Sequence, residues 1–208
     1  MENIKFSVFD IFAYLLPGSI VLTVIVLLST PSVDKISQYI EMAKDISLGL
    51  GIIAGIISYI IGNVTENLGS WLYYKIGCKI WGDPYPEKRH PNLSHAQQRA
   101  LVREYSPENF NALQTWKVLK SMSHNLSFAM LLLTIVSVTR SIQYRDIQWI
   151  IISIVSIISA IILLNRANVY DRWHYQQLLE TVEILQLEKK VNSAPLERHD
   201  DTKKRKNS

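Results

Sequence analysis

The sequence predicts an all-α, polytopic membrane protein with four transmembrane helices. Three observations carry this. First, the apolar residues are gathered into blocks: windows 11–30, 46–65, 121–139 and 147–165 are strongly apolar and contain no Asp, Glu, Lys or Arg. Each window has the 19 or 20 residues that an α-helix needs to cross about 30 Å of hydrocarbon. Second, the polar chain that remains is too short to cover four such blocks as the core helices of a soluble domain. Third, Lys and Arg alternate between the segments that separate the windows. Eighteen lie in the N-terminal, middle and C-terminal segments and four in the other two loops, which predicts both termini in the cytoplasm.

The net charge of +4 is a by-product of that asymmetry, because fourteen acids share the side of the eighteen basic residues. No direct nucleic-acid binding is expected from it. The lone cysteine, Cys78, excludes an internal disulfide and a cysteine-rich metal site. The first window is too long, and its flank too weakly basic, for a cleaved signal peptide. The Asn-x-Ser/Thr triplets at Asn63, Asn92 and Asn125 fall on the predicted cytoplasmic side, so none is read as a glycosylation site.

Residues 1–65 form a first transmembrane hairpin, with spans at 11–30 and 46–65. Asp10 precedes the first span and falls at its cytoplasmic boundary. Pro17-Gly18 lies one to two turns inside, where proline cannot donate to the carbonyl of Ala13. Either a short interfacial helix ends there, or one helix kinks there against a neighbour. In the second span Gly55, Gly62 and Gly69 recur every seven residues, and Gly51 stands four before Gly55. Such small residues let helix backbones approach closely in lipid, so these four are expected at a helix-packing seam.

Residues 66–120 form a cytoplasmic helical insertion. The second span continues through "ENLGSWLYYKIGCKIW" and breaks at the proline-rich "GDPYPEKRHPN". Ser94 and Gln97 then make a capping box, and Ser106-Pro107-Glu108 starts a helix of about 33 residues with no breaker before the loop near Arg140. Residues 121–165 are the second transmembrane hairpin, closed by an outer loop of six or seven residues. No Pro or Gly interrupts the chain from Ile147 to Asn192, so the last span runs on as a cytoplasmic helix over 166–192. Its apolar residues Leu178, Val182 and Leu185 either pack on the helix from Pro107 or form a seam with an oligomer or partner. Residues 193–208 are a disordered basic tail whose Lys203, Lys204, Arg205 and Lys206 can touch anionic lipid.

Asp10, Glu66, His124 and Arg166 mark one depth on the four spans. They form either an interfacial layer of anchors and pairs, such as Asp10 or Glu66 with Arg166, or a charged ring at the mouth of an ion path. Trp71, Trp81, Trp149 and Trp173 stand at or near the window ends, as an aromatic belt does. Catalytic patterns are absent: the sequence has no glycine-rich phosphate loop, no His-Glu-x-x-His and no Gly-x-Ser-x-Gly. His90 and His95 have no metal-site spacing. No enzyme activity, cofactor or metal is expected.

Phe9-Asp10, the run Tyr14-Leu15-Leu16-Pro17-Gly18 and the four-span layout with cytoplasmic helices resemble small membrane proteins of bacterial phage-defence systems. In layout the chain is similar to the membrane subunit of the Kiwa system and, next, to the pore-forming accessory of type VI-B CRISPR systems. It lacks the Arg-x4–6-His pair of HEPN ribonucleases, since the intervals from Arg166 and Arg172 to His174 are too wide and too narrow. The resemblance implies a homo-oligomer in the bacterial inner membrane that works with a cytoplasmic, DNA-binding partner subunit, and a tetramer is the expected assembly. The expected function is a non-enzymatic membrane component of an anti-phage defence system, oligomerising and coupling the membrane to a cytoplasmic effector. An ion-conducting pore is the alternative. A small-solute transporter stands behind both, because the windows show no inverted repeat.

Overall fold

The computed structural model of the chain describes residues 8–31, 34–85 and 90–189, with the side chains of residues 8–10 outside that description. Among the described residues every regular element is helical. They are α1 (Val8–Ser29), α2 (Ile36–Lys44), α3 (Leu48–Leu72), a π-helical turn (Tyr73–Gly77), α4 (Cys78–Trp81), α5 (His95–Tyr105), α6 (Pro107–Tyr144) and α7 (Ile147–Ile184). Four stretches are long and apolar enough to cross a membrane: Ile11–Ser29, Leu48–Trp81, Pro107–Tyr144 and Ile147–Ile184. The expected basic tail lies outside the described residues.

α6 is the central helix. It pairs along its length with α7 and also packs on α1 and α3, which pack on each other. α6 and α7 have 38 residues each, about 57 Å at 1.5 Å per residue, so both outrun a bilayer core of about 30 Å. The excess forms a helical extension against which α5 is wedged. Its core joins Val102 of α5, Leu113 of α6, Leu178 and Val182 of α7, and Leu187. Leu178 and Val182 are therefore consumed inside the chain and cannot form a seam between copies. Leu185, 37% exposed, lies just past the end of α7.

The capping box at Ser94 and Gln97 starts α5: the Ser94 hydroxyl accepts from the Gln97 amide, and the Gln97 side chain accepts from the Ser94 amide. Pro107 takes the first position of α6, while the Ser106 hydroxyl accepts from Asn109 Nδ2 instead of from the backbone. The outer loop of the second hairpin is only Arg145 and Asp146, shorter than the six or seven residues expected. Nothing in residues 140–144 breaks a helix, Arg145 turns the chain in the left-handed conformation (φ 53°), and Asp146 accepts from the Gln148 amide at 2.8 Å. α2 stands where the sequence predicts a loop between the first two spans; it buries none of its residues completely and rests Ile36 and Tyr39 on the cluster of Val24, Leu27, Val136 and Trp149.

At this end of the bundle Arg140, 5% exposed, closes α1. Its Nη2 donates to the carbonyls of Leu27 and Thr30, where the last turn of a helix has acceptors without intrahelical donors. Its guanidinium lies 5.2 Å from the centre of the Trp149 ring. Trp149 is 1% exposed and donates to the Asp34 carbonyl at 2.7 Å. It is thus an internal staple and not a member of an aromatic belt. Arg140→Ala should cost about 1.5–3 kcal/mol, the worth of hydrogen bonds to a charged group. Arg140→Lys should recover little of it, since an ammonium lacks the planar fork that reaches two carbonyls. Thermal unfolding in detergent reads both, and equal stability of wild type and Arg140→Ala would refute the clasp.

Candidate functional site

The first helix is continuous from Val8 to Ser29 and carries the buried Pro17 within it, which excludes a separate helix ending there. Ser19 donates its hydroxyl to the Leu16 carbonyl at 2.8 Å, one residue before the proline. Pro17-Gly18 marks where α1 meets α3. A Cβ at Gly18 would fall on the Ser58 carbonyl, and one at Gly62 on the Tyr14 carbonyl, so the two backbones touch. Farther along α3, Gly69 sits against α6, where a Cβ would lie 2.5 Å from Asn125 Oδ1 and 3.0 Å from His124 Nδ1.

The expected glycine seam therefore divides. Gly62 and Gly69 lie at close approaches within the chain, whereas a Cβ at Gly51 or Gly55 would meet nothing within 4 Å. From the Gly18–Gly62 crossing the two helices part, and α2 flanks the gap on one side. The result is an apolar groove of about 590 Å³ whose lining includes Leu22, Val26, Met42, Ala54 and Gly55.

The charged layer divides too. The side chain of Asp10 lies outside the described residues. Glu66 faces α1 and α6: its Oε2 accepts from the Tyr14 hydroxyl at 3.0 Å and its Oε1 from the Ser121 hydroxyl at 3.3 Å. His124 is 2% exposed, with its ring stacked 6.1 Å from that of Tyr73. Arg166 is exposed on α7 and makes no ion pair among the described residues. The pairing of Glu66 with Arg166 is therefore not made, because the two side chains leave their helices toward different neighbours.

The polar group that does join helices sits where bundle and extension meet. The π turn after α3 directs Tyr73, 0% exposed, into the α6–α7 pair, where its hydroxyl donates to Asp171 Oδ2 at 2.9 Å. Lys120 of α6 reaches Asp171 Oδ1 at 3.0 Å and the Tyr74 hydroxyl at 3.1 Å. The Lys120 ammonium lies 5.5 and 5.2 Å from the ring centres of Tyr73 and Tyr74. The side chains of Lys120 and Asp171 are 15% and 3% exposed, so an ion pair with two hydroxyl partners is held inside the protein. A π turn of this kind is often found at functional positions in long helices. Here it is the point at which α3 is fastened to α6 and α7.

Above this junction α5 brings His95 near His174, with ring centres 6.0 Å apart. Burial first and the Arg99 charge second hold the His95 imidazole below its usual pKa. His90 pairs with Glu188 at 3.4 Å. Among the described residues no three His, Cys, Asp or Glu side chains converge in a way that would hold a metal ion. The arrangement fastens helices.

Lys120, Asp171, Tyr73 and Arg140 were not singled out from the sequence. A signal for Asp171 was present: Ala160, Leu164, Ala167, Asp171, His174, Leu178 and Val182 recur at spacings of three and four and are all buried. An acid inside such a stripe requires a buried partner. Comparison with family models, with curated proteins and with solved structures finds no match to this chain.

Proposed function

We propose that the chain is a non-enzymatic inner-membrane component of an anti-phage defence system that couples the bilayer to a cytoplasmic effector protein. One observation carries the coupling: α6 and α7 pass unbroken from the apolar bundle into an extension with its own core. A shift or tilt of the bundle is therefore delivered to the extension by rigid helix and not by a loop. The buried Tyr73–Asp171–Lys120 group fastens α3 into the same movement. The charge asymmetry of the sequence supports a cytoplasmic extension and cytoplasmic termini. The defence setting rests on the resemblance at residues 9–18 and on the layout.

A pore assembled from several copies is the second reading. The uncovered side of α3 favours it, because Gly51 and Gly55 face open space beside exposed Ile52 and Ile56. A tetramer built on that side would use the part of the glycine seam that the chain itself leaves bare.

Two measurements test the reading. Reporters fused at Pro91 and Gln143 are expected to behave as cytoplasmic and periplasmic, respectively, and an externally accessible tag at Pro91 would overturn the orientation. The tagged protein should co-purify with a cytoplasmic protein from the host and give no ion flux in liposomes. Flux from the purified chain alone would replace coupling by the pore.

A further inference from the structure

Between α1, α3 and α6 lies a half-open cleft of about 360 Å³, within the range of about 300–1,000 Å³ typical of small-ligand sites. Its polar lining is Tyr14, Glu66, Gln114, Lys117 and Ser121. Coupling between bundle and extension makes no use of it.

The cleft has a sign at each end. Glu66 forms the acidic end, oriented by the Tyr14 and Ser121 hydroxyls at 3.0 and 3.3 Å. Two neutral donors orient a carboxylate without neutralising it, and no cation pairs with Glu66 among the described residues. Each carboxylate oxygen has a second lone pair, so the group can still receive a multiple donor. Lys117, exposed on α6, supplies the basic end, and the Gln114 amide lies one turn before it.

Depth narrows the ligand. Glu66 directly follows the uncharged window 46–65, and Ser121 opens the window 121–139. The cleft thus stands at the edge of the hydrocarbon, where lipid headgroups lie.

We propose that this cleft binds a phosphoethanolamine zwitterion, the headgroup of an aminophospholipid, with its ammonium on Glu66 and its phosphate on Lys117 and Gln114. A primary ammonium brings three N–H donors to the open lone pairs of the carboxylate. A trimethylammonium brings none. An uncharged glycerol headgroup carries a phosphate for Lys117 but nothing cationic for Glu66, and a bare cation would be repelled by Lys117. Only the zwitterion complements both ends.

The test uses the full chain in detergent, exchanged into matched-chain phosphatidylethanolamine, phosphatidylcholine or phosphatidylglycerol, with bound lipid counted by native mass spectrometry. Wild type is expected to retain phosphatidylethanolamine about tenfold better than either other lipid, as one charge-assisted hydrogen bond allows. Glu66→Gln, close in shape and still able to accept from Tyr14, should lose that preference. Lys117→Ala should weaken retention of both phosphatidylethanolamine and phosphatidylglycerol. This substitution is at an exposed position, so it keeps the test open if Glu66→Gln fails to fold. Equal retention of the three lipids by wild type, a preference unchanged in Glu66→Gln, or retention unchanged in Lys117→Ala would overturn the site. Free O-phosphoethanolamine that stabilises the lipid-free protein as strongly as the lipid does would keep the headgroup chemistry and overturn the lipid as its source.

Discussion

Gly62→Leu is expected to separate α1 from α3, while Gly55→Leu leaves the single subunit folded. The two glycines belong to one heptad series and look alike in sequence, yet their surroundings differ. At Gly62 the first carbon of any side chain falls on the Tyr14 carbonyl, and the reciprocal contact puts Gly18 on the Ser58 carbonyl. Both obstacles are backbone in the middle of long helices, so neither can rotate aside as a side chain would. Overpacking typically costs about 1–3 kcal/mol, and an obstacle that cannot yield belongs at or above the top of that range. In lipid the penalty is not offset by hydrophobic collapse, because close packing is itself what holds the helices together. Gly18→Val should behave like Gly62→Leu. Gly55→Leu fills part of an open groove and should change the unfolding temperature of the monomer little. If copies of the chain meet through Gly51 and Gly55, Gly55→Leu will shift the oligomer to monomer at unchanged subunit stability. Unfolding in detergent, read beside size by light scattering, separates the two effects. Equal stability of Gly62→Leu and Gly55→Leu would remove the crossing as a determinant of the fold.

The contrast between these glycines shows what the sequence discloses. The four long apolar helices were legible because exclusion of charge over 19 or 20 residues is the mark a bilayer imposes and needs no knowledge of neighbours. The starts of α5 and α6 were legible for a similar reason, since capping chemistry is local to Ser94, Gln97 and Pro107. Which glycines touch which helix was not, because the answer depends on where α1 crosses α3. The loop at Arg145 was misjudged because the uncharged window ends at Thr139, whereas the helix continues for another turn with Arg140 turned inward onto α1. A buried arginine there reads from sequence as a loop charge. Glu66 and Arg166 look like partners by depth alone. Rotation about the helix axes sends one to Tyr14 and Ser121 and leaves the other in the open.

The junction gives the second large effect. Asp171→Asn is expected to destabilise the protein by about 3–5 kcal/mol, because it leaves the Lys120 ammonium buried with no counter-charge, facing only a neutral amide oxygen and the Tyr74 hydroxyl. Lys120→Met should cost a similar amount by the mirror argument, leaving the Asp171 carboxylate with the Tyr73 hydroxyl alone. Tyr73→Phe removes one hydrogen bond and keeps the pair, so its cost should be smaller, about 1.5–3 kcal/mol, that of a hydrogen bond to a charged group. The informative variant removes all three polar partners at once, as Tyr73→Phe, Lys120→Met and Asp171→Leu. No orphan charge then remains, and replacing a buried ion pair by apolar side chains of similar size is often neutral or even stabilising. The triple variant should therefore recover most of the stability that Asp171→Asn loses. Its function distinguishes two roles for the group. If the ion pair sets the register of the π turn against α6 and α7, the triple variant will be stable yet will fail to recruit the cytoplasmic partner, because α3 no longer moves with the extension. If the group only fills space, recruitment will return together with stability. Denaturation curves and partner co-purification on the same preparations give both readings, and an Asp171→Asn protein as stable as wild type would show that the buried pair does not hold the junction.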